Sequence, residues 1–351
     1  MKQFFGKSQR GDLEEALQGL SNPAFIMLIS NKDRFEKHVK QLEKRFPGVP
    51  SIGCIGMSYD TEVVEDGVGV VAFIGGIDVV TGVLEQVSVM PVKYIQRMEE
   101  DLRAIHASSE NTVCIDFCSS NDACVLTTMY SVLGRENISL MGGTGDAEKV
   151  SVNGNVYKDA AAYALVKNKN GRIKVYKENM YQPMSNYRFI ASKTDRSNYL
   201  VGELNGRPAK QVYQEILHVS EADITNQTFK NPFGKVIGQD VCIISIKAVE
   251  GGALTCFRQV NDSDVLTLLE LKNYWETVNE TIQKIHRDFQ NISAVFSVNC
   301  LFRYLLFSQN GDMQKYLNVM GNVGNHAGLV GYGEHYNNQF VNQSMTCVVF
   351  E

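Results

Sequence analysis

The sequence predicts an α+β fold in two pseudo-symmetric lobes, each a mixed β-sheet covered by helices. A glycine turn occurs three times, as Gly56-Met57-Ser58-Tyr59, Gly143-Thr144-Gly145-Asp146 and Gly331-Tyr332-Gly333-Glu334. Each copy follows a helix-like stretch and lies between two apolar runs, so a helix, strand, glycine turn, strand unit is repeated. The chain has 351 residues, more than one ordinary core accommodates, which favours two domains.

Composition excludes several classes of partner. The chain is 44% hydrophobic and 21% charged, with a formal net charge of -5 and mixed signs, so it has no basic face for nucleic acid. No signal peptide is expected, because Met1 to Gly11 lacks an apolar run of about 7 to 15 residues. No apolar stretch reaches the roughly 18 residues of a membrane span. The eight cysteines lie mostly in apolar runs, as reduced thiols do. We expect a cytoplasmic protein that binds neither nucleic acid nor membrane.

In the first half, helical spacing of apolar residues predicts helices over Asp33 to Phe46 and Val92 to Ile105. Nearly continuous apolar runs predict strands at Ser51 to Ile55, Val68 to Ile74 and Thr112 to Phe117. The last strand leads into a polar loop and then a helix, Ala123 to Leu133. That loop holds three secondary candidates for ligand contact, Cys118, Ser119 and Asn121. Either the loop binds a ligand at the helix N-terminus or its side chains only cap the helix.

The polar, weakly periodic stretch Tyr181 to Tyr199 is interpreted as the boundary between the halves. Beyond it, a hairpin is predicted from Val241 to Phe257 and a long helix over Leu271 to Phe289. A strand, Ile292 to Val298, ends at Asn299 and Cys300, and a helix over Gln314 to Met320 leads into the third glycine turn. The second half thus repeats the order of the first.

Five sequence features in this order resemble the FIST family across Ala24 to Glu351. They are Gly53-Cys54-Ile55-Gly56; Gly142 to Asp146; Leu204 to Ala209 with Val212-Tyr213; Asn299-Cys300 with Arg303; and Gly331 to Glu334 with Asn342 to Met345. The resemblance implies a lead-in over residues 1–23, a FIST N-terminal domain over 24–185 and a FIST C-terminal domain over 186–351. It also implies an intracellular sensor of small molecules such as amino acids, alone or joined to signalling domains such as methyl-accepting chemotaxis receptors. Some family members bind haem and sense nitric oxide.

Two departures from the family pattern bear on the ligand. The family's first turn commonly ends in Gly-Glu, where this chain has Ser58-Tyr59, and the family's His-Asn-Gln-Thr is here Val341 to Ser344, without the histidine. We therefore expect ligand contacts chiefly at the second and third turns and a structural role at the first.

The acids Asp146 and Glu334 occupy the same place in two copies of the turn. We expect a cleft between the lobes to bring them together, because such clefts are preferred sites for small ligands. The acids would bind an ammonium group and Arg303 a carboxylate. Arg303 has two other interpretations, structural pairing with Glu334 or Asp146 and assistance to a nucleophilic Cys300. Further contacts are assigned to Thr144, Asn299, Cys300, Tyr332, Asn342 and Gln343, with Cys54 as a secondary candidate.

Three functions stay open at this point. The first is a non-catalytic sensor that binds an amino acid or similar metabolite and signals to an output domain or protein of the chemotaxis type, alone or as a homodimer. The second is a haem-binding gas sensor with His335, His326 or Cys300 as axial donor. The third is a hydrolase that uses Cys300. No cofactor is expected. No metal site is expected either, because Cys114, Cys118 and Cys124 do not have the spacing of zinc ligands.

Overall fold

A computed structural model describes residues 1–89, 91–146, 148–238 and 240–351. In chain order the strands are β1 (Lys2–Ser8), β2 (Phe25–Ser30), β3 (Ser51–Ile55), β4 (Met57–Tyr59), β5 (Val63–Val64), β6 (Val68–Ile74), β7 (Ile77–Glu85), β8 (Thr112–Cys118), β9 (Ser139–Thr144), β10 (Lys149–Val152), β11 (Asn155–Lys158), β12 (Ala160–Asn168), β13 (Ile173–Asn179), β14 (Tyr181–Asp195), β15 (Leu200–Leu204), β16 (Arg207–Pro208), β17 (Phe233–Ile237), β18 (Asp240–Ile244), β19 (Ile246–Glu250), β20 (Ala253–Cys256), β21 (Val265–Leu271), β22 (Ala294–Cys300), β23 (His326–Gly331), β24 (Glu334–Tyr336), β25 (Gln339–Val341) and β26 (Ser344–Phe350). The helices are α1 (Leu13–Ala16), α2 (Phe35–Arg45), α3 (Ile95–Ala104), α4 (Asp122–Leu133), α5 (Ala209–Leu217), α6 (Ile224–Gln227), α7 (Tyr274–Asp288), α8 (Leu301–Gln309) and α9 (Met313–Gly321).

The chain packs into two compact units that are interleaved in sequence. Unit 1 comprises Met1–Glu178, Asn279–Phe340 and Ser344–Glu351, and unit 2 comprises Asn179–Val278 and Val341–Gln343. The family domains predicted from sequence are contiguous stretches, so they describe a different division of the chain and their boundaries stay a prediction. No helix in the described ranges is long and apolar enough to cross a membrane.

Unit 1 contains three six-stranded sheets with one strand order. The orders are β1-β6-β2-β3-β10-β11, β7-β12-β8-β9-β24-β25 and β13-β26-β22-β23-β4-β5. At the centre of each sheet, two parallel strands joined by helix lie beside a later antiparallel strand, as in β2, β3 and β6. The same pairing recurs in β8, β9 and β12 and in β22, β23 and β26. We name these copies repeat 1 (residues 2–74), repeat 2 (77–168) and repeat 3 (173–178, 294–340 and 344–350).

The predicted α+β class with mixed sheets and repeated units is confirmed, and the repeats number three, all in unit 1. Unit 2 has its own strand order, β18-β17-β21-β14-β15-β20-β19, with antiparallel pairing between all these neighbours. Its core includes Tyr213, Phe233 and Leu266. The polar stretch interpreted as a boundary is largely β14, in which most side chains are exposed or half-buried, so its sequence is polar with little periodicity.

The short strand after each glycine turn leaves its own repeat. Strand β4 pairs with β23 of repeat 3, β24 pairs with β9 of repeat 2, and β10 pairs with β3 of repeat 1. Each repeat therefore extends the sheet of another, and the exchange closes into a ring of three. Large apolar side chains from the sheets share one core, in which Phe73 packs on Phe350 and Phe117 on Phe296.

This exchange brings the glycine turns together. The Thr144 amide donates to the Gly333 carbonyl at 2.9 Å and the Tyr332 amide donates to the Thr144 carbonyl at 2.9 Å. The Asp146 amide donates to the Ile55 carbonyl at 2.8 Å, which ties the second turn to the end of β3. Glycine is required at the crossing, because a Cβ at residue 143 would lie 2.4 Å from the Gly333 carbonyl oxygen.

Candidate functional site

One strand position is polar and buried in all three repeats. Ser30, Asp116 and Asn299 each pair with the residue that precedes the first glycine of a turn, namely Ile55, Gly142 and Val330. All three are fully buried. A buried polar side chain needs a partner; Ser30 and Asp116 each have a histidine, whereas Asn299 has no side-chain hydrogen bond among the described residues.

In repeat 2 the partner is a histidine held between two carboxylates. His335 Nδ1 lies 2.7 Å from Asp116 Oδ2, and His335 Nε2 lies 2.8 Å from Asp122 Oδ1. The Thr144 hydroxyl donates to the same Asp122 oxygen. Residue 142 must be glycine, because a Cβ there would lie 2.3 Å from Asp116 Oδ1. We call these four side chains, Asp116, Asp122, Thr144 and His335, the acid–histidine cluster.

Charge fixes the protonation of this cluster. Burial alone would lower the pKa of His335, but the charges and hydrogen bonds of Asp116 and Asp122 outweigh it and raise the pKa to about 10. Burial raises the pKa of Asp116, against the nearby charge of His335. Burial also acts to raise the pKa of Asp122, but hydrogen bonds from His335 and Thr144 lower it overall. At neutral pH the imidazole is therefore a cation that donates from both nitrogens.

On the other face of β24, Glu334 forms a second buried group. Its Oε2 accepts from the Ser344 hydroxyl at 3.0 Å and the Ser344 amide at 3.4 Å, and the Cys300 thiol also hydrogen-bonds the carboxyl. Burial raises the pKa of Glu334 to about 8, partly offset by these bonds. Glu334 and Cys300, both candidate ligand contacts, thus touch each other, and Cys300 is only 3% exposed.

The partner of Arg303 is neither of the acids expected from sequence. Its guanidinium pairs with Glu178 of β13, and both side chains are fully buried. The planar group also lies over the rings of Phe307 and Tyr316. The expected pairing with Glu334 or Asp146 is wrong, because Arg303 lies on the helix side of its sheet, where β13 supplies the carboxylate. Nearby in sequence, neither amide atom of Asn299 has a hydrogen-bond partner among the described residues.

A cavity of about 420 Å³ lies beside the second glycine turn. It is lined by Lys32, Ile55, Asp146, Glu148, Lys149 and Lys158. Lys32 follows β2 and Ile55 ends β3, so the cavity is at the carboxyl ends of the parallel strands of repeat 1. Asp146 and Glu148 follow β9, and Lys149 and Lys158 belong to the β10–β11 hairpin. Ligands of open α/β sheets commonly bind at such strand ends. We call it the Asp146 cavity.

Tyr332 connects this cavity to the third turn. The hydroxyl of Tyr332 hydrogen-bonds Asp146, and burial together with this bond raises the pKa of Tyr332. The ring is 44% exposed. Three candidate contacts, Thr144, Asp146 and Tyr332, are therefore joined by backbone or side-chain hydrogen bonds.

Asn342 and Gln343 belong to unit 2. The Gln343 amide donates to the Ser245 hydroxyl at 2.7 Å and to the Thr228 carbonyl at 3.2 Å. Gln343 has a φ of 51°, in the left-handed region. Asn342 is buried beside it in the chain. These bonds hold the loop in place, which indicates a structural role for the Gln343 side chain.

The secondary candidates take structural contacts. The Cys118 thiol donates to the Ser120 carbonyl at 2.8 Å, and Ser119 Oγ accepts from the Ala160 amide at 2.9 Å. Asn121 precedes α4 in the left-handed conformation and makes no capping bond with its side chain, so simple capping by Asn121 is wrong. Cys54 is buried, and burial raises the pKa of its thiol.

The two histidines considered as haem ligands are hydrogen-bonded within the protein. Both ring nitrogens of His335 are engaged by carboxylates. His326 is buried, with its Nε2 2.7 Å from the Ser297 hydroxyl, and burial lowers its pKa to about 4. Within the described ranges, no group of three or more His, Cys, Asp and Glu side chains is placed to hold a metal ion.

The sequence analysis did not identify Asp116, Asp122 or Glu178, and it considered His335 only as a haem ligand. One signal was present for Asp116, because it is the only charged residue in the apolar run from Thr112 to Phe117. A carboxylate at such a place must have a buried partner. Glu178 offered no comparable signal, since its partner Arg303 is 125 positions away.

Comparison with known proteins gives two family matches. The family model described as the FIST N domain matches residues 24–207, and the one described as the FIST C domain matches residues 209–337. No curated protein matches the chain. Among solved structures, a chorismatase crystal structure has a TM-score of 0.38 and 7% identity, over 99% of this chain and 97% of that one.

Proposed function

The chain belongs to the FIST family, and from that premise we propose that it senses a small metabolite, an amino acid or a molecule of similar polarity, in the Asp146 cavity. FIST domains are sensory domains of signal-transduction proteins. The observation that carries the proposal is the cavity itself, which joins two carboxylates and three lysines beside the second glycine turn.

Size and chemistry support a polar metabolite. About 420 Å³ is within the range of small-ligand pockets. Asp146 and Glu148 would bind an ammonium group, and the lysines a carboxylate. The lysines take the role of carboxylate ligand expected of Arg303 from sequence, because Arg303 is buried against Glu178.

The turns supply a path for a signal. A sensor needs a ligand with different affinity for two states. A ligand that binds Asp146 competes with the Tyr332 hydroxyl, and Tyr332 is bonded to Thr144, whose side chain belongs to the acid–histidine cluster. Binding would thereby bias the third turn toward a second arrangement, which an output signalling domain or protein, such as a chemotaxis receptor, would read.

We propose binding without turnover, in the cytoplasm. Cys300, the only nucleophile considered from sequence, is buried and hydrogen-bonded to Glu334, which favours a structural role over acyl transfer. Eight cysteines are free, seven of them buried, as is usual in a reducing compartment.

Thermal-shift and calorimetric titrations of the full chain with the proteinogenic amino acids test the proposal. We expect at least one of them to raise the melting temperature as its concentration rises, as mass action requires. Asp146→Asn should weaken that ligand by about tenfold, the cost of one charge-assisted hydrogen bond. Asp78→Asn, an exposed carboxylate paired with Lys169, serves as control. Absence of a response to every amino acid, or equal binding by Asp146→Asn, would reject the proposal.

A further inference from the structure

The Asp146 cavity has an arrangement of charge that is unfavourable without a ligand. Lys149 and Lys158 are directly opposite each other in the β10–β11 hairpin. Like charges directly opposite each other on paired strands are destabilising. Both residues line the cavity, and a third lysine, Lys32, lines it from the end of β2.

The protein compensates only part of this charge. Lys149 Nζ lies 2.7 Å from the Glu36 carboxylate on the first turn of α2. Lys32 and Lys158 have no ion-pair partner in the part of the chain that the structure describes. Of the two acids in the lining, Asp146 is already bonded to Tyr332.

We infer that the Asp146 cavity selects an acidic amino acid, a ligand with two carboxylates and one ammonium group. The lining has three ammonium groups and two carboxylates, and only Lys149 among the lysines has an ion-pair partner among the described residues, Glu36, so Lys32 and Lys158 are left to bind two ligand carboxylates. One ligand carboxylate between Lys149 and Lys158 would replace their repulsion by two attractions, and Lys32 would take the second. The ligand ammonium would lie against Asp146 and Glu148. This inference rests on the proposed function and narrows its ligand.

Repeat 2 provides an internal contrast. Beside the equivalent strand ends of β8 and β9, the carboxylates Asp116 and Asp122 share one cation, His335 from the same chain. In repeat 1, Lys149 is paired with Glu36, whereas Lys32 and Lys158 line the cavity without an ion pair to any described residue. These two lysines are therefore the groups that a ligand carboxylate can pair with.

Calorimetry with L-glutamate and L-aspartate against L-glutamine and L-asparagine tests the inference on the full chain. Each amide has nearly the shape of its acid but lacks the second charge. We expect an acid to bind at least tenfold more tightly than its amide, with an advantage that shrinks as salt is raised. An amide bound as tightly as its acid would overturn the inference and leave the proposed function intact. A lack of binding by any amino acid would overturn both.

Lys158→Gln gives a second test, which measures the stability of the unliganded protein as well as its ligand preference. Removing one of two opposed charges should raise the melting temperature of the unliganded protein and reduce the preference for acid over amide to less than threefold. Lys158→Arg should keep the preference. Lys247→Gln, an exposed lysine of β19 in unit 2, is the matched control and should change neither quantity. A Lys158→Gln protein that keeps the full preference for acids would contradict the inference.

Discussion

In repeats 1 and 2 the parallel strands end at equivalent positions, but the side chains at these strand ends differ in charge. At the polar position, Ser30 Oγ lies 2.7 Å from His38 Nδ1 in repeat 1, and Asp116 Oδ2 lies 2.7 Å from His335 Nδ1 in repeat 2. The distance from the polar side chain to Nδ1 is the same, but the other nitrogen of His38 lies 3.2 Å from the Gly11 carbonyl and that of His335 lies 2.8 Å from the Asp122 carboxylate.

That difference sets the protonation of the histidine. Burial lowers the pKa of His38, although its bond to the Gly11 carbonyl opposes the shift. The pKa of His335 is raised to about 10, because two carboxylates outweigh burial. Repeat 2 therefore holds a charged cluster whose histidine is paired with two acids of the chain, whereas repeat 1 holds a neutral pair and has lysines lining a cavity. Two copies of one repeat can thus use equivalent strand ends differently, one for stability and the other for binding.

The largest expected effect is the loss of the charge on Asp116. Asp116→Asn leaves the His335 cation buried with one carboxylate fewer. Removing one partner of a buried ion pair costs about 3–5 kcal/mol. Urea titration should show this loss in the free energy of unfolding. Asp78→Asn, the same change in an exposed ion pair with Lys169, should cost less than about 1 kcal/mol. Similar costs for the two variants would show that the acid–histidine cluster is not an ion pair.

A second comparison sets Glu334 against Asp146, which hold the same position in the third and second turns. Glu334 is buried and its pKa is raised from 4.5 to about 8, whereas Asp146 is exposed. A raised carboxyl pKa means that the folded state binds the proton more tightly. The stability it contributes is present below pH 4.5 and is lost as the pH rises to about 8.

Glu334→Gln should remove this dependence. Between pH 5 and pH 8 the free energy of unfolding of the wild type should fall by on the order of 3 kcal/mol more than that of Glu334→Gln, since one pKa unit corresponds to about 1.4 kcal/mol. Urea titrations at the two pH values measure the difference. Asp146→Asn should retain the wild-type slope. Parallel slopes for wild type and Glu334→Gln would mean that the carboxyl is not held protonated by burial.

The glycine turns made part of this site predictable. Because the signature recurs with the same spacing, the acids at its fourth position could be compared, and the structure does place Glu334 against Cys300 and Asp146 against Tyr332. The helix α2 and the strand β8 also follow from apolar spacing, within two residues at each end. These features depend on local sequence, which propensity and pattern can report.

Long-range pairing was beyond such reasoning. Strands β4 and β24 have three residues each and pair with other repeats, so no periodicity can mark them. The ring of three repeats arises from these pairings. The sequence therefore predicted that a unit is repeated, but not that its copies form a ring. Helix α8 begins directly after β22 without a turn residue, and its apolar sequence hid the change of period. The acid–histidine cluster joins β8, α4, β9 and β24, which only the folded ring brings together.

The smallest expected effect completes the comparison between the repeats. Ser30→Ala removes the hydroxyl bonded to His38 Nδ1, and since the pair is neutral its loss should cost about 1–2 kcal/mol, less than the cost of Asp116→Asn. Urea titration of both variants at pH 7.5 measures the ratio. Ser151→Ala, a buried hydroxyl on β10, is the control for the loss of a serine hydroxyl. If Ser30→Ala were as costly as Asp116→Asn, geometry rather than charge would determine the stability of these strand ends, and the contrast between a closed repeat 2 and a ligand-ready repeat 1 would fail.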